Sequence, residues 1–440
     1  MYQAMYSAVV LTILIRFVYL VVIRKAQFGV VSALIGTLYT VALFIPAQLQ
    51  SAGLMKSKLT SASILNLPYG SEVTSLSAAW SIELIIVLAL EIAVTWGARL
   101  SRRREAADIL LRKSVTRARG AIVILLIVGV IASVLFPAGA IEDRGQETGQ
   151  GILVLLRTCL VVGLAGLAFY NFFRKTLFVI VAILGIVFLV ASSVRSPLLV
   201  IMLGYVAGVL ARKELKVRNM VGFVIMGLGL GITGGFMSSY RGEVIQGHAP
   251  DAMAVISKTM ENPFVTAYQG GIDTLDGYRL SKQVQPGEPP NPSNLLVAFT
   301  TFVPRAMWPD KPTDLSIGIT ARYLHWGSGG VFLSPIGYLR IALGGYYEAL
   351  SAWAVLIFIL ILLYIYQYRT IAGMFILILV FRMTLAGSPF DVYYTLTLVL
   401  IFLGARLLIS AYHQIASTAA RRPIQNVSVT LALDPSEDRI

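Results

Sequence analysis

Apolar residues run in long blocks along most of this chain, broken by short polar stretches. Blocks at about 5–23, 28–50, 73–97, 120–140, 151–171, 176–194, 196–211, 219–239, 348–368, 371–387 and 392–410 carry few charges. A helix crossing the hydrocarbon core needs about 20 such residues. The pattern therefore predicts an all-α polytopic membrane protein with about eleven spans. The first block lacks a basic stretch before it and a small-residue cleavage pattern, so it reads as a retained helix. Arg24 and Lys25 follow it. Alternation from that point puts 98–119, Arg174–Lys175, Arg212–Arg218, Arg369 and Arg421–Arg422 on one side, as the positive-inside bias requires. The N-terminus is then outside and the C-terminus cytoplasmic.

This reading divides the chain into a first bundle of about eight spans (1–239), a large external loop (240–347), C-terminal spans (348–410) and a cytoplasmic tail (411–440). A loop of that length is uncommon unless it has a function. It contains Trp308, Trp326, several tyrosines and short apolar runs, and only "QPGEPPNPSN" reads as plain linker. A helix is expected after Pro250 and Asp251. "NLLVAFTTFVP" is too short to span and reads as an interfacial or re-entrant piece. "SPIGYLRIALGGYYEAL" reads as a further helix, with Gly337 and Gly344 on one face for close packing.

Composition agrees with the pattern: 57% of the 440 residues are hydrophobic and 13% charged, with a mean hydropathy of +0.78. Soluble globular chains are excluded. The net charge of +14 does not imply nucleic acid, because eight basic residues gather between Arg99 and Arg119, where anionic headgroups are met. The single cysteine, Cys159, rules out an intrachain disulfide. No metal-spaced His/Cys/Asp set and no Walker or GxSxG motif is present, so neither a metal nor another cofactor is implied.

The informative charges are arginines at the expected outer face, where basic residues are normally depleted. They are Arg195, Arg241, Arg305, Arg322, Arg340 and Arg382, with Lys311 beside them in "FVPRAMWPDKPTD". A guanidinium matches phosphate oxygens bidentately, so these residues are candidates for binding an anionic, phosphorylated ligand. Arg16 and Arg157 are read as structural partners of Glu83 or Glu91, and Arg279 as a solvated charge. Candidate bases are His325, Glu348 and Asp391. Glu348 is expected on one helix with Arg340, eight residues on, and Asp391 also fits an N-cap.

"VPRAMWPDKP" resembles the Pro-Arg…Trp-Pro-x-Lys-Pro stretch of bacterial O-antigen and oligosaccharide repeat-unit polymerases of the Wzy type. "SSVRSPLLVIMLG" and "SPIGYLRIALGGYYEAL" resemble other segments of that family, although Leu339-Arg340 departs from its pattern. The resemblance implies a GT-C-like helical bundle in the bacterial inner membrane. It also implies a metal-independent, inverting glycosyltransferase acting outside on undecaprenyl-diphosphate-linked glycans, alongside membrane lipids and a chain-length regulator. Arginines would stabilise the departing diphosphate. An O-antigen ligase-type transferase would share donor and fold. A mannosyl-type transferase would need paired acids in 51–72, which offers only Glu72. A lipid-linked oligosaccharide or anion transporter would need charges spread along a path through the spans.

Overall fold

Inside an apolar layer a backbone segment satisfies its own polar groups only as a helix. The computed structural model describes residues 29–39, 45–51, 71–97, 104–135, 151–170, 196–212, 252–261, 274–296, 307–308, 315–323, 333–385 and 387–421, with isolated positions Leu11, Ile183 and Phe236. Regular structure among these residues is entirely helical. The helices are α1 (Gly29–Tyr39), α2 (Ile45–Ser51), α3 (Ser71–Gly97), α4 (Arg104–Leu135), α5 (Gly151–Phe169), α6 (Ser196–Arg212), α7 (Ala252–Glu261), α8 (Thr274–Val284), α9 (Leu315–Tyr323), α10 (Pro335–Leu343), α11 (Tyr346–Gln367), α12 (Ile371–Leu385) and α13 (Pro389–Arg421).

Among the described residues, three windows are long and apolar enough to cross a membrane: Ala118–Leu135 in α4, Tyr346–Gln367 in α11 and Asp391–Ile415 in α13. Shorter apolar helices are Ser75–Leu90, Leu156–Phe169, Pro197–Arg212 and Ile371–Leu385. The expected spans at 5–23, 176–194 and 219–239 lie outside the described residues but for Leu11, Ile183 and Phe236. The basic stretch expected as a loop is helical from Arg104 onward, so α4 begins well before its apolar window. On α11, Val355, Phe358, Ile359, Leu362 and Leu363 are exposed, with Tyr347 and Tyr366 exposed at the two ends. Those tyrosines are separated by about 28 Å of helix at 1.5 Å per residue. That spacing matches an aromatic belt at each edge of a hydrocarbon core.

Helix packing depends on missing side chains. A Cβ on Gly129 of α4 would lie 2.3 Å from the Leu160 nitrogen, and one on Gly208 of α6 would lie 2.1 Å from the Phe169 carbonyl oxygen. Backbones of α4, α5 and α6 can touch only because those positions are glycine. The same Phe169 carbonyl accepts a hydrogen bond from Arg212. The main core joins both halves of the chain, with Leu76 and Trp80 of α3 packed in one cluster with Trp353, Ile357, Leu377 and Leu398.

Within the segment expected as a large external loop, α8 packs against α3 and α10 against α11. A second small core of Leu280, Val284, Leu315, Ile319, Leu333, Tyr338 and Ile341 ties α8, α9 and α10 together. Every residue from Thr274 to Ser281 is buried. Arg279 is 3% exposed, which overturns its reading as a solvated charge. "QPGEPPNPSN" is no slack linker either: it forms 3-10 turns at Gln285–Gly287 and Pro292–Leu296. α7 starts at Ala252, where the Pro250–Asp251 signal places it.

Gly208→Leu is expected to force α5 and α6 apart, costing about 1–3 kcal/mol or more. A thermal melt in detergent checks it, with Gly404→Ala as control, since a Cβ there meets nothing within 4 Å.

Candidate functional site

Fifteen residues make α12 about 22 Å long, shorter than the ~30 Å apolar layer. The last carbonyls of any helix need partners outside it. Thr274, at the start of α8, donates its hydroxyl to the Leu385 carbonyl at 3.2 Å. Gly387, in the turn after α12, has φ +68° and lies so close to the start of α10 that a Cβ would be 2.1 Å from Pro335 Cα. α13 begins two residues later. The N-termini of α8, α10 and α13 thus meet the C-terminus of α12 at one junction.

Each N-terminus there has its own device. α10 starts at Ser334, whose side chain accepts from the Gly337 N–H at 3.1 Å. Ser334 has φ +63°, the only positive φ at a non-glycine among the described residues. That conformation is sparsely populated and is held by the surrounding structure. Asp276 and Asp391 lie in the first turns of α8 and α13, and both are buried. A carboxylate in that position offsets the positive end of the helix dipole. Asp391 follows Ser388, which accepts its N–H at 2.8 Å, so it is a first-turn residue rather than the N-cap expected as the alternative.

Arg382 and Asp391, expected as a phosphate ligand and a base, are bonded to each other at 2.5 Å. Their side chains are 12% and 5% exposed. The Arg382 guanidinium also sits over the Tyr394 ring, 4.3 Å from its centre. Asp391 is therefore engaged by a cation, and Arg382 is largely neutralised.

Arg340 lies in the last turn of α10, about 9 Å along the helix from Ser334. Its Nε donates to the Gln285 Oε1 at 2.5 Å, and the Gln285 amide donates in turn to the Gly344 carbonyl at 2.6 Å. Gln285 is the guanidinium's one hydrogen-bonding partner among the described residues, and it is neutral. The chain then breaks. Gly344 caps α10 in the left-handed region, φ +86°, with its N–H on the Arg340 carbonyl. This corrects two expectations. Gly344 ends a helix instead of lining its face, whereas Gly337 does pack closely, its Cβ position 2.6 Å from Ser281 Oγ. Glu348 belongs to α11 rather than to a helix shared with Arg340, and its carboxylate lies over Gly345 at the α11 N-terminus.

Arg322 is the most exposed of the three candidate arginines that are described, 57% at its side chain, and pairs with Glu288 at 3.1 Å. The same carboxylate accepts from the Tyr323 hydroxyl at 3.1 Å. Burial, together with Glu288, raises the Tyr323 phenol above its ordinary value. Arg195, Arg241, Arg305, Lys311 and His325 lie outside the described residues, as does "VPRAMWPDKP" apart from the exposed Met307 and Trp308.

Sequence reading missed Gln285 and Glu288, which it took for linker, and the buried pair of positions Asp276 and Arg279. It also misassigned Glu83. That carboxyl is fully buried in α3 and bonded by Thr384 and Trp353, neither of them a cation. Comparison with known proteins finds no matching family model, no matching curated sequence and no matching solved structure.

Removing one partner of the Arg382–Asp391 pair is expected to destabilise the fold by about 3–5 kcal/mol, since the other charge is left buried. A double-mutant cycle of Arg382→Met and Asp391→Leu, read by unfolding in detergent, checks this: the double variant should be more stable than either single one.

Proposed function

We propose that the chain is a membrane glycosyltransferase that polymerises undecaprenyl-diphosphate-linked oligosaccharide repeat units at the external face of the bacterial inner membrane. The observation that carries the reading is Arg340. Of the three described arginines in the candidate set, Arg322 and Arg382 are matched by carboxylates. Arg340 is oriented by a neutral amide at one edge, its one partner among the described residues, and its terminal nitrogens and charge are suited to an anion. A preorganised guanidinium of this kind stabilises negative charge as it develops on a departing diphosphate. The resemblance of "VPRAMWPDKP" and its companion segments supplies the substrate class.

In this reaction a terminal sugar hydroxyl of one lipid-linked repeat unit attacks the anomeric carbon of the growing chain. The bond from that carbon to the undecaprenyl diphosphate breaks, with inversion, and the diphosphate leaves on its lipid. The hydroxyl proton passes to a base. Asp391, already bound to Arg382, and Glu348, folded over its own helix end, are the weaker candidates, so His325 becomes the preferred one. Neither metal nor nucleotide takes part. An attached lipid tail and a membrane-level junction fit a substrate that never leaves the bilayer.

Purified protein incubated with synthetic undecaprenyl-diphosphate repeat units, free of metal and nucleotide, is expected to give a ladder of glycans on a gel. Arg340→Ala should lower the rate by about a hundredfold, and Gln285→Leu by a smaller factor, with expression retained in both. Transfer seen only when a lipid-A-core acceptor is added would identify a ligase instead. Movement of labelled substrate across proteoliposomes with no new glycosidic bond would identify a transporter and sink the reading.

A further inference from the structure

Glu83 has no place in the chemistry above, yet it is the most completely enclosed acid among the described residues, at 0% exposure. An ionisable side chain at such a position in a membrane bundle is retained for a reason. Its carboxyl takes hydrogen bonds from the Thr384 hydroxyl on Oε1 at 2.9 Å and from the Trp353 indole N–H on Oε2 at 3.2 Å. Tyr39 of α1 lies close by as well. Tyr39 is itself stacked on Trp80, one turn before Glu83, with ring centres 4.2 Å apart. One carboxyl therefore joins α1, α3, α11 and α12.

What the carboxyl holds is specific. Thr384 is the penultimate residue of α12. The next carbonyl, Leu385, receives the Thr274 hydroxyl that seats α8, and Gly387 then abuts the start of α10. α8 carries on into Gln285, which orients Arg340. A chain of contacts thus runs from Glu83 through Thr384 and Leu385 to α8 and the arginine. We propose that Glu83 is a positioning residue: it fixes the end of α12, and through it the seat of α8 and α10, acting as a hydrogen-bond hub and not as a charge.

The hub reading makes glutamine an adequate substitute. An amide oxygen accepts from the Trp353 N–H, which can only donate, and the amide nitrogen donates to the Thr384 hydroxyl, which can also accept. Leucine offers neither. Thr384→Val removes one spoke while leaving Glu83 in place, and so tests the same link if the leucine variant does not fold.

Hydrogen exchange of the full-length protein in nanodiscs reads the outcome without any substrate. In wild type and Glu83→Gln the peptide covering Thr274–Val284 should be protected. In Glu83→Leu and Thr384→Val it should exchange at least about tenfold faster, while Ala118–Leu135 keeps its protection in all four. Intact protection of Thr274–Val284 in both Glu83→Leu and Thr384→Val overturns the proposal. So does equal loosening of Ala118–Leu135, which would mean general destabilisation, and so does exchange in Glu83→Gln as fast as in Glu83→Leu, which would mean that charge matters. A second readout rests on the polymerase reading: Glu83→Leu should raise the KM for lipid-linked donor about tenfold, with glutamine restoring it. An inactive wild type would count against that reaction and leave the exchange result to decide the positioning role.

Discussion

The carbonyl groups at the end of a helix need partners, and at the end of α12 other helices meet to supply them, with the Thr274 hydroxyl on Leu385 fixing the junction. Full-length helices such as α11 need no such provision, because their ends emerge where water or headgroups are available. α12 stops short, so α8 and α10 come down to meet it: one by a threonine hydroxyl on Leu385, the other by direct backbone contact at Gly387. Once those helices are drawn in, their own N-terminal N–H groups need acceptors. Ser334 serves one of them, and the acids Asp276 and Asp391 stand in the first turns of the other two helices. The buried acids and Arg382 are in this sense products of one truncated helix.

The electrostatic arrangement follows the same logic in depth. Charges closest to the junction are matched or held in fixed contacts, because an isolated charge there would cost several kcal/mol. Toward the surface the requirement relaxes, and Arg340 is held by a neutral side chain. A site for an anion belongs at such a transition, where a guanidinium is immobilised but not yet neutralised. Deeper, it would already be paired; farther out, like Arg322, it is mostly solvated.

Helical class, the apolar blocks and the start of α7 were legible in the sequence because each depends on local pattern. The burial of α8 was not. "TLDGYRLS" has the composition of a surface segment, and only its surroundings make it an interior helix, with Asp276 and Arg279 buried. Periodicity cannot reveal burial on all sides. Gln285 and Glu288 were hidden for a related reason: they stand among prolines, and their roles arise from Arg340 and Arg322, tens of residues away. Glu83 was seen, but its partners were guessed as arginines, since charge suggests countercharge. Uncharged donors from distant helices, here Thr384 and Trp353, leave no signature in a single chain.

The glycine pair at 344–345 acts as a rotational index. Because Gly344 alone supplies the left-handed turn, and Pro290 lies against it, α10 and α11 meet at a fixed angle with no slack to absorb length changes. One residue inserted between Arg340 and Gly344 would turn the guanidinium by about 100° relative to the joint, away from Gln285. The joint therefore tolerates substitution along α10 but not a change in its length.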